Sequence, residues 1–379
     1  MLDIQIETPF DFRSEEYHRL YDSAGATAFQ HPVWLHHLYA DLAPRRGADP
    51  LVVTGRDAAT GRLLLVLPLV RRRTGPFRRI EFADLGVSDY ASPVVDGSLD
   101  VGDLVKSGVP GEIRRCLGRY DLLRIDKIAF RPDEVHALLG TRRPRRHRYG
   151  RWPVPLDPPT FDDWTASLDP AFARHLVSRR KKLRPKGVID FRELTDPSQI
   201  ADAFDDMRRF RADRFADRRA IDLVQDPDCF DFYLKVAQTS AAEGGPGRTA
   251  AITVDDAYAA VSFGLLEPDR LVWLLVGYDF NRYKRQALGL LVVEDEIRAS
   301  YDRGERVFDL TLGDEPYKAS FGAVGRPVSS TTAPRTARGL LLDQWERADD
   351  RGRAAAKRAV AYKEEKLDPL LERFRRDAS

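Results

Sequence analysis

Residues able to do chemistry gather late in the sequence, in FDLTLGDEPYKASFG (Phe308–Gly322). Strand alternation puts Asp309 on the face of Val307, opposite Phe308 and Leu310. A carboxylate there either takes a proton from an attacking group, as a general base, or hydrogen-bonds neighbouring backbone. Asp314 suits the N-cap of a short helix, with Pro316 early in it. Tyr317 sets a phenol proton beside the Lys318 ammonium, a pair able to protonate a leaving group and to steady a phosphate or an oxyanion. The same two residues also read simply as cap and surface of that helix.

A second group suits an anion. Arg285-Gln286-Ala287-Leu288-Gly289, preceded by Arg282 and Lys284, opens a predicted helix over about Ala287–Tyr301. Unpaired N–H groups at such an end lie at the positive pole of the helix dipole and favour phosphate. The plainer reading is a helix start with solvated basic side chains. Asp89-Tyr90 follows a glycine-containing turn and reads on its own as a turn aspartate with a packed tyrosine. Between Arg142 and Arg192 there are 14 Lys/Arg against 5 Asp/Glu, a local +9 that leaves −7 for the rest of a chain of net charge +2. Such a stripe attracts phosphates, tRNA, an anionic polymer or an anionic lipid surface, or is a solvated helix face. RRKKLRPK lacks interleaved aromatics, so nucleic acid is not an expected partner, tRNA being the exception.

Other chemistries lack their residues. No G-x-S-x-G, P-loop or dinucleotide fingerprint stands in a strand–turn–helix setting. His36 and His37 are adjacent on a predicted helix and do not share a face, and no Cys/His cluster has zinc spacing, so no metal is expected. Cys229, in DCFDFYL, reads as buried rather than nucleophilic. Two cysteines in 379 residues exclude a disulfide framework and fit a reducing cytosol. A chain that is 43% hydrophobic and 32% charged is neither disordered nor membrane-like, and its length predicts about two domains. MLDIQIETPFDF lacks the pattern of a signal peptide, and apolar runs such as Leu63–Val70 are far shorter than the roughly twenty residues of a membrane span. A cytoplasmic location is expected, with peripheral membrane contact left open.

The elements that must position these groups follow from periodicity. Phe29–Leu42 reads as an amphipathic helix, Leu51–Arg56 and Arg62–Arg72 as a hairpin, and FRRIEFADL as a third strand. Val101–Leu117, Asp121–Asp126 and Pro132–Leu139 read as helix, strand and helix. WPVPLDPP (Trp152–Pro159), with four prolines, reads as an extended connector that no central strand would tolerate. Beyond it, Phe161–Arg184 reads as helix, Val188–Leu194 as strand, and Ser198–Arg219 and Asp226–Glu243 as helices. Arg248–Val254, Ala257–Leu266 and Leu271–Tyr278 form an antiparallel meander, followed by the helix at Ala287 and the strand Arg306–Leu312. This order predicts an α+β domain with a mixed, mostly antiparallel sheet, and the first half shows a looser version of it. The expected division is 1–155, 156–334 and an amphipathic helical tail over 335–379.

The second half resembles the GNAT acyltransferase fold, and FDLTLGDEPYKASFG resembles the C-terminal signature of CelD-type acetyltransferases, tandem-GNAT proteins associated with cellulose biosynthesis and related to the FemAB peptidyltransferases. HPVWL (His31–Leu35), VSDYASPVV (Val87–Val95) and RRKKLRPKG (Arg179–Gly187) extend the resemblance from about Phe29 to Gly322. The resemblance implies two GNAT-like halves and direct transfer of an acyl group from acyl-CoA, such as acetyl-CoA, to an amine or hydroxyl. The acceptor would be a small molecule, a sugar or a polysaccharide precursor. In that frame Arg282 and Arg285–Gly289 hold the CoA pyrophosphate, with Ala287 where glycine is more usual. Tyr317 protonates the thiolate, assisted by Lys318. Asp309 and Asp314 stand near the chemistry, and Asp89 and Tyr90 contact the acceptor in a cleft. Two alternatives stand beside it: an aminoacyl-tRNA-dependent transferase of FemAB type, and a non-catalytic GNAT scaffold in envelope polysaccharide biosynthesis.

Overall fold

The computed structural model describes residues 2–215 and 222–348. Strand β1 (Leu2–Ile6) and helices α1 (Glu15–Ala24), α2 (Pro32–His37) and α3 (Ala43–Arg45) lead to β2 (Asp49–Asp57), β3 (Leu63–Thr74), β4 (Phe77–Phe82) and β5 (Val94–Val95). The first half closes with α4 (Val101–Lys106), α5 (Val109–Cys116), β6 (Leu122–Ile128), α6 (Pro132–Leu139) and β7 (Arg145–Pro155). The second half opens with α7 (Phe161–Ser167), α8 (Pro170–Leu183), β8 (Ile189–Leu194), α9 (Pro197–Phe215) and α10 (Pro227–Glu243). It continues through β9 (Gly247–Val254), β10 (Ala257–Glu267), β11 (Arg270–Tyr278), α11 (Leu288–Arg303), β12 (Val307–Leu312), α12 (Tyr317–Ser320) and β13 (Arg326–Pro334). Residues 337–348 are helical, and the rest of the expected tail lies outside the described residues.

One mixed sheet joins both halves in the order β1-β2-β3-β4-β6-β13-β7-β12-β11-β10-β9-β8, with β5 on β3. Each half repeats one plan: an antiparallel meander, a helical crossover, and a parallel pair. β4 runs parallel to β6, and β11 runs parallel to β12. The last strands are exchanged. β7 closes the first half but pairs with β12, while β13 closes the second and pairs with β6. The α+β, tandem GNAT-like architecture is thus present, locked by a strand swap that periodicity does not show.

Four expectations need correction. WPVPLDPP is partly strand: Pro153 and Pro155 sit in β7 opposite Asp309 and Val307. Leu156 N–H donates to Arg306 O, whereas the Pro153 carbonyl accepts from Val324, so the odd-numbered prolines turn their nitrogens away from β12 and cost no ladder bond there. Val101–Leu117 is two helices, parted at Gly108 (φ 89) with Pro110 opening the second. Phe161–Arg184 also breaks, because Asp169 caps a new helix by accepting from the N–H groups of Ala171 and Phe172 ahead of Pro170. Phe29–Leu42 is a 3-10 turn, a helix capped by the His31 side chain, and a π turn. The strands β1, β5 and β13 carry no clear period of their own, and the Ser198–Arg219 helix is described only to Phe215.

Three apolar clusters hold the fold. One packs the first half's outer face, around Leu65, Ile80 and Ile113, and one packs the second's, around Leu291, Ile297 and Phe308. The largest lies between the halves and joins Trp34 and Tyr90 to Phe204, Tyr233 and Phe263. Against the second-half sheet, Glu296 is buried and its carboxyl meets Ser262 Oγ at 2.5 Å. Burial raises its pKa above the ordinary 4.5, outweighing the Ser262 hydrogen bond and the nearby Arg303 and Arg248. The folded state therefore holds this proton more tightly than the unfolded chain, and stability falls as pH rises from 4.5 through the folded pKa. Glu296→Gln should raise the thermal midpoint at pH 8, with the gain vanishing below about pH 4.5; equal gains at both pH values would sink this account.

Candidate active site

β11 and β12 lie side by side only over Arg270–Val272 and Val307–Asp309, and then part. β11 continues to Tyr278 and β12 to Leu312. β12 turns away because Thr311 has φ 55 and its register with β7 slips between Asp309 and Leu312. The other strand is bulged as well: Phe263 pairs with Leu275 but Gly264 with Trp273, leaving Leu274 as the extra residue. In the first half, Lys127 (φ 58) and a slip between Ser329 and Thr331 mark the equivalent point on β6.

Asp89 reaches this parting point from the other half. Its carboxylate lies beside Thr311 and Leu312, whose polar hydrogens favour its charged form, and the Thr311 hydroxyl donates to Trp273 O at 3.4 Å. The loop carrying it is clamped on every side. Tyr233 donates to Val87 O (3.1 Å), Trp34 Nε1 to Ser88 Oγ (3.0 Å), Gln30 Nε2 to Tyr90 O (3.2 Å), and Lys127 Nζ to Ser88 O (2.7 Å). Asp89 itself stays half-buried. Burial raises its pKa, and Lys127 and Lys318 only partly offset this. Burial opposes the charge on Lys127, but Asp84 and Asp89 more than compensate and hold its pKa above the ordinary lysine value. Tyr149, stacked on His147 at 4.9 Å, faces the same charges, and burial pushes its pKa up to about 12.

The remaining expected site residues divide. Asp309 lies on the predicted face but is fully buried: Oδ1 accepts from Tyr90 OH (3.0 Å) and Thr311 N (2.9 Å), and Oδ2 faces Arg151 Nη1 at 3.6 Å. Tyr90 is 1% exposed, so this pair ties the halves together and is not presented to solvent. Lys318 is 3% exposed, and its three N–H donors have three partners, Leu312 O, Gly313 O and the Glu315 carboxylate. That locks the loop after β12 and leaves no donor for an oxyanion. Asp314 does not cap α12, whose N-cap is Pro316; it accepts from Gly150 N (3.2 Å) and Trp152 Nε1 (3.3 Å) and so anchors the loop to β7. Tyr317 is half-buried at the start of α12, its ring edge-on to Phe321. His37 bonds Asp41 and Thr239, and among the described residues no group of three or more His, Cys, Asp or Glu could hold a metal ion.

Arg285–Gly289 does form the turn into α11. Ala287 is the N-cap with φ 52, a left-handed conformation uncommon outside Gly, Asn and Asp, and no side chain caps the helix. Gln286 is buried and reaches Lys182 O at 3.4 Å, while Arg179 donates to Arg285 O at 2.8 Å, so the end of α8 braces this turn. Arg180 adds a clamp from α8 to Glu294 and Asp295 of α11. Arg282, Lys284 and Arg285 are exposed around the helix start, and Lys181, Lys182, Arg184 and Lys186 are exposed at the end of α8 and just beyond it.

Residues 170–319 match the acetyltransferase (GNAT) domain family. This is a GNAT-type fold. FemX, a solved structure, is similar in fold over 90% of this chain and 99% of that one, with a TM-score of 0.60 at 10% identity. L-PGS from Bacillus licheniformis aligns with a TM-score of 0.51 at 10% identity, over 89% of this chain and 96% of that one. A conserved protein of unknown function from Bacteroides thetaiotaomicron VPI-5482 gives 0.52 at 13% identity, over 89% and 100%. None of the curated proteins matches this sequence. These likenesses are of fold, and the GNAT-type match covers the half that holds α11, β12 and the turn between β11 and α11. Sequence reasoning missed Lys127, Thr311 and Tyr149; the signal for the first two was a lysine and a threonine interrupting apolar strands at matching points of the two halves.

Proposed function

We propose that this protein transfers an acyl group from acyl-CoA to an amine or hydroxyl of an acceptor bound between the two halves. The observation that carries the reading is Asp89 of the first half, whose half-buried carboxylate stands beside Thr311 and Leu312 where β11 and β12 part. A donor lying between those strands would put its thioester beside this carboxylate. Its pyrophosphate would meet the N–H groups of Ala287, Leu288 and Gly289, with Arg282 and Arg285 alongside and Gln286 contributing through backbone. The acceptor's nitrogen or oxygen attacks the thioester carbonyl as Asp89 takes its proton. Backbone N–H groups at the β11 bulge steady the oxyanion, the C–S bond breaks, and Tyr317 returns a proton to the thiolate. No acyl-enzyme is formed and no metal takes part. By resemblance to the CelD type, the acceptor belongs among sugar or polysaccharide precursors.

Calorimetric titration with acetyl-CoA and with CoA tests the donor. Micromolar binding, about −8 kcal/mol, supports the reading. Gly289→Ala should then weaken that binding tenfold or more, because a Cβ would lie 2.6 Å from Tyr278 Cε1 and force the ring or the helix start to move. Tyr317→Phe should slow transfer without changing donor affinity; an unchanged rate removes Tyr317 from the mechanism. The exposed cations Lys181, Lys182, Arg184 and Lys186 favour a second reading, an aminoacyl-tRNA donor. Failure to bind either CoA species would move that reading ahead, and failure to bind aminoacyl-tRNA as well would leave a non-catalytic scaffold.

A further inference from the structure

A cavity of about 560 Å³ opens on the first half, at the end of the sheet where β6 begins and β13 finishes. This is the opposite end of β6 from Lys127, and so lies away from the acyl-transfer site. Four arginines line it: Arg114 and Arg115 from α5, Arg142 from the turn after α6, and Arg335 after β13. Among the described residues, no acidic one lines it. Arg142 is paired with the Asp343 carboxylate, and cations gathered around one hollow repel one another unless further anions join them.

Three of the four guanidiniums are held but not used up. Arg114 Nε donates to Pro110 O (3.3 Å), Arg335 Nη1 to Arg114 O (3.0 Å), and Arg142 Nη1 to Asp343 (2.9 Å). Arg335 also lies over the Tyr120 ring at 5.2 Å, and its backbone N–H is fixed on Asp121 O. Each guanidinium has five N–H donors, so these bonds position the groups and leave donors in a planar fork suited to phosphate oxygens. Gly140 fits the same design, since a Cβ there would stand 3.1 Å from Arg114 Cζ. The volume falls within the 300–1,000 Å³ of small-ligand sites and exceeds what one phosphate fills.

We infer that this arginine-lined cavity binds a phosphate-bearing ligand, with room for a diphosphate or a phosphate attached to an organic group. The chemistry is shared by a soluble phosphate ester and an anionic lipid headgroup. It is independent of the donor site at α11, which uses other residues.

The test uses the full chain, titrated calorimetrically with inorganic pyrophosphate and sedimented with vesicles of phosphatidylglycerol or of neutral phosphatidylcholine. Arg114→Gln with Arg335→Gln should weaken pyrophosphate binding tenfold or more, whereas Arg282→Gln with Arg285→Gln should leave this component intact. Arg115→Gln, at an exposed side chain, should weaken it about threefold and guards against misfolding of the double variant. Loss of pyrophosphate binding without vesicle binding assigns a soluble ligand. Sedimentation with phosphatidylglycerol alone, lost in the double variant, assigns a headgroup. The inference is overturned if the wild type binds neither probe, or if the arginine variants bind both as the wild type does.

Discussion

Asp89→Asn should cut the rate of acyl transfer by about 10²–10⁴ while leaving acyl-CoA affinity unchanged. The substitution keeps the geometry. An asparagine has the size and shape of the aspartate, and the clamps on Val87, Ser88 and Tyr90 do not involve the Asp89 side chain. Only the ability to accept a proton is lost. The pH dependence gives an independent readout. Burial raises the Asp89 pKa above 3.8, so wild-type kcat/KM should fall as pH drops through that raised value, and the variant should lack this limb. Stability supplies the control. For a carboxylate with a raised folded pKa, ionisation at neutral pH weakens the fold, so the variant should be no less stable than the wild type at pH 7. A stable variant with a wild-type rate would show that another group takes the proton. A destabilised one would show that Asp89 is a structural carboxylate.

Why Asp89 is harder to assign than Asp309 follows from where each one's surroundings come from. The face of Asp309 is legible from alternation along one strand. Its burial is not, because its partners Tyr90 and Arg151 come from the other half and from the exchanged strand. Asp89 reads as a turn residue locally; Lys127, and Thr311 and Leu312 more than two hundred positions away, give it a chemical setting. The second-half meander and its crossover are legible because their apolar periods are long and clean. The swap of β7 and β13 is not. Arg145–Arg151 is too charged to alternate, the prolines that follow argue against a strand, and Arg326–Pro334 is rich in serine and threonine. HPVWL and VSDYASPVV stand out as separate motifs, and the bond from Trp34 to Ser88 shows that they form one device, a helix that aims the Asp89 loop.

Arg151→Met should destabilise the protein by about 3–5 kcal/mol, the cost of stripping a buried carboxylate of its counter-charge. Arg151 lies on the exchanged strand β7, 3.6 Å from Asp309 of β12, and its guanidinium covers the Phe130 ring at 4.5 Å. Asp309 is fully buried, and Tyr90 and Thr311 satisfy only one of its oxygens. Methionine fills much of the space beside Phe130 but leaves the carboxylate unpaired in a place water does not reach. Asp309→Asn should cost less than Arg151→Met, because the amide keeps an acceptor for Tyr90 and Thr311 and the arginine keeps its aromatic contact. Combining the two should recover part of the Arg151→Met loss, giving a coupling energy that urea denaturation at neutral pH can measure. Strict additivity would mean that the pair does not act as a unit. A coupling of about 1 kcal/mol or more would establish that Tyr90, Arg151 and Asp309 fasten the first half, the exchanged strand and the second half at one buried point. That fastening would hold Asp89 against β12, since Asp89 is the sequence neighbour of Tyr90, which bonds to this strand.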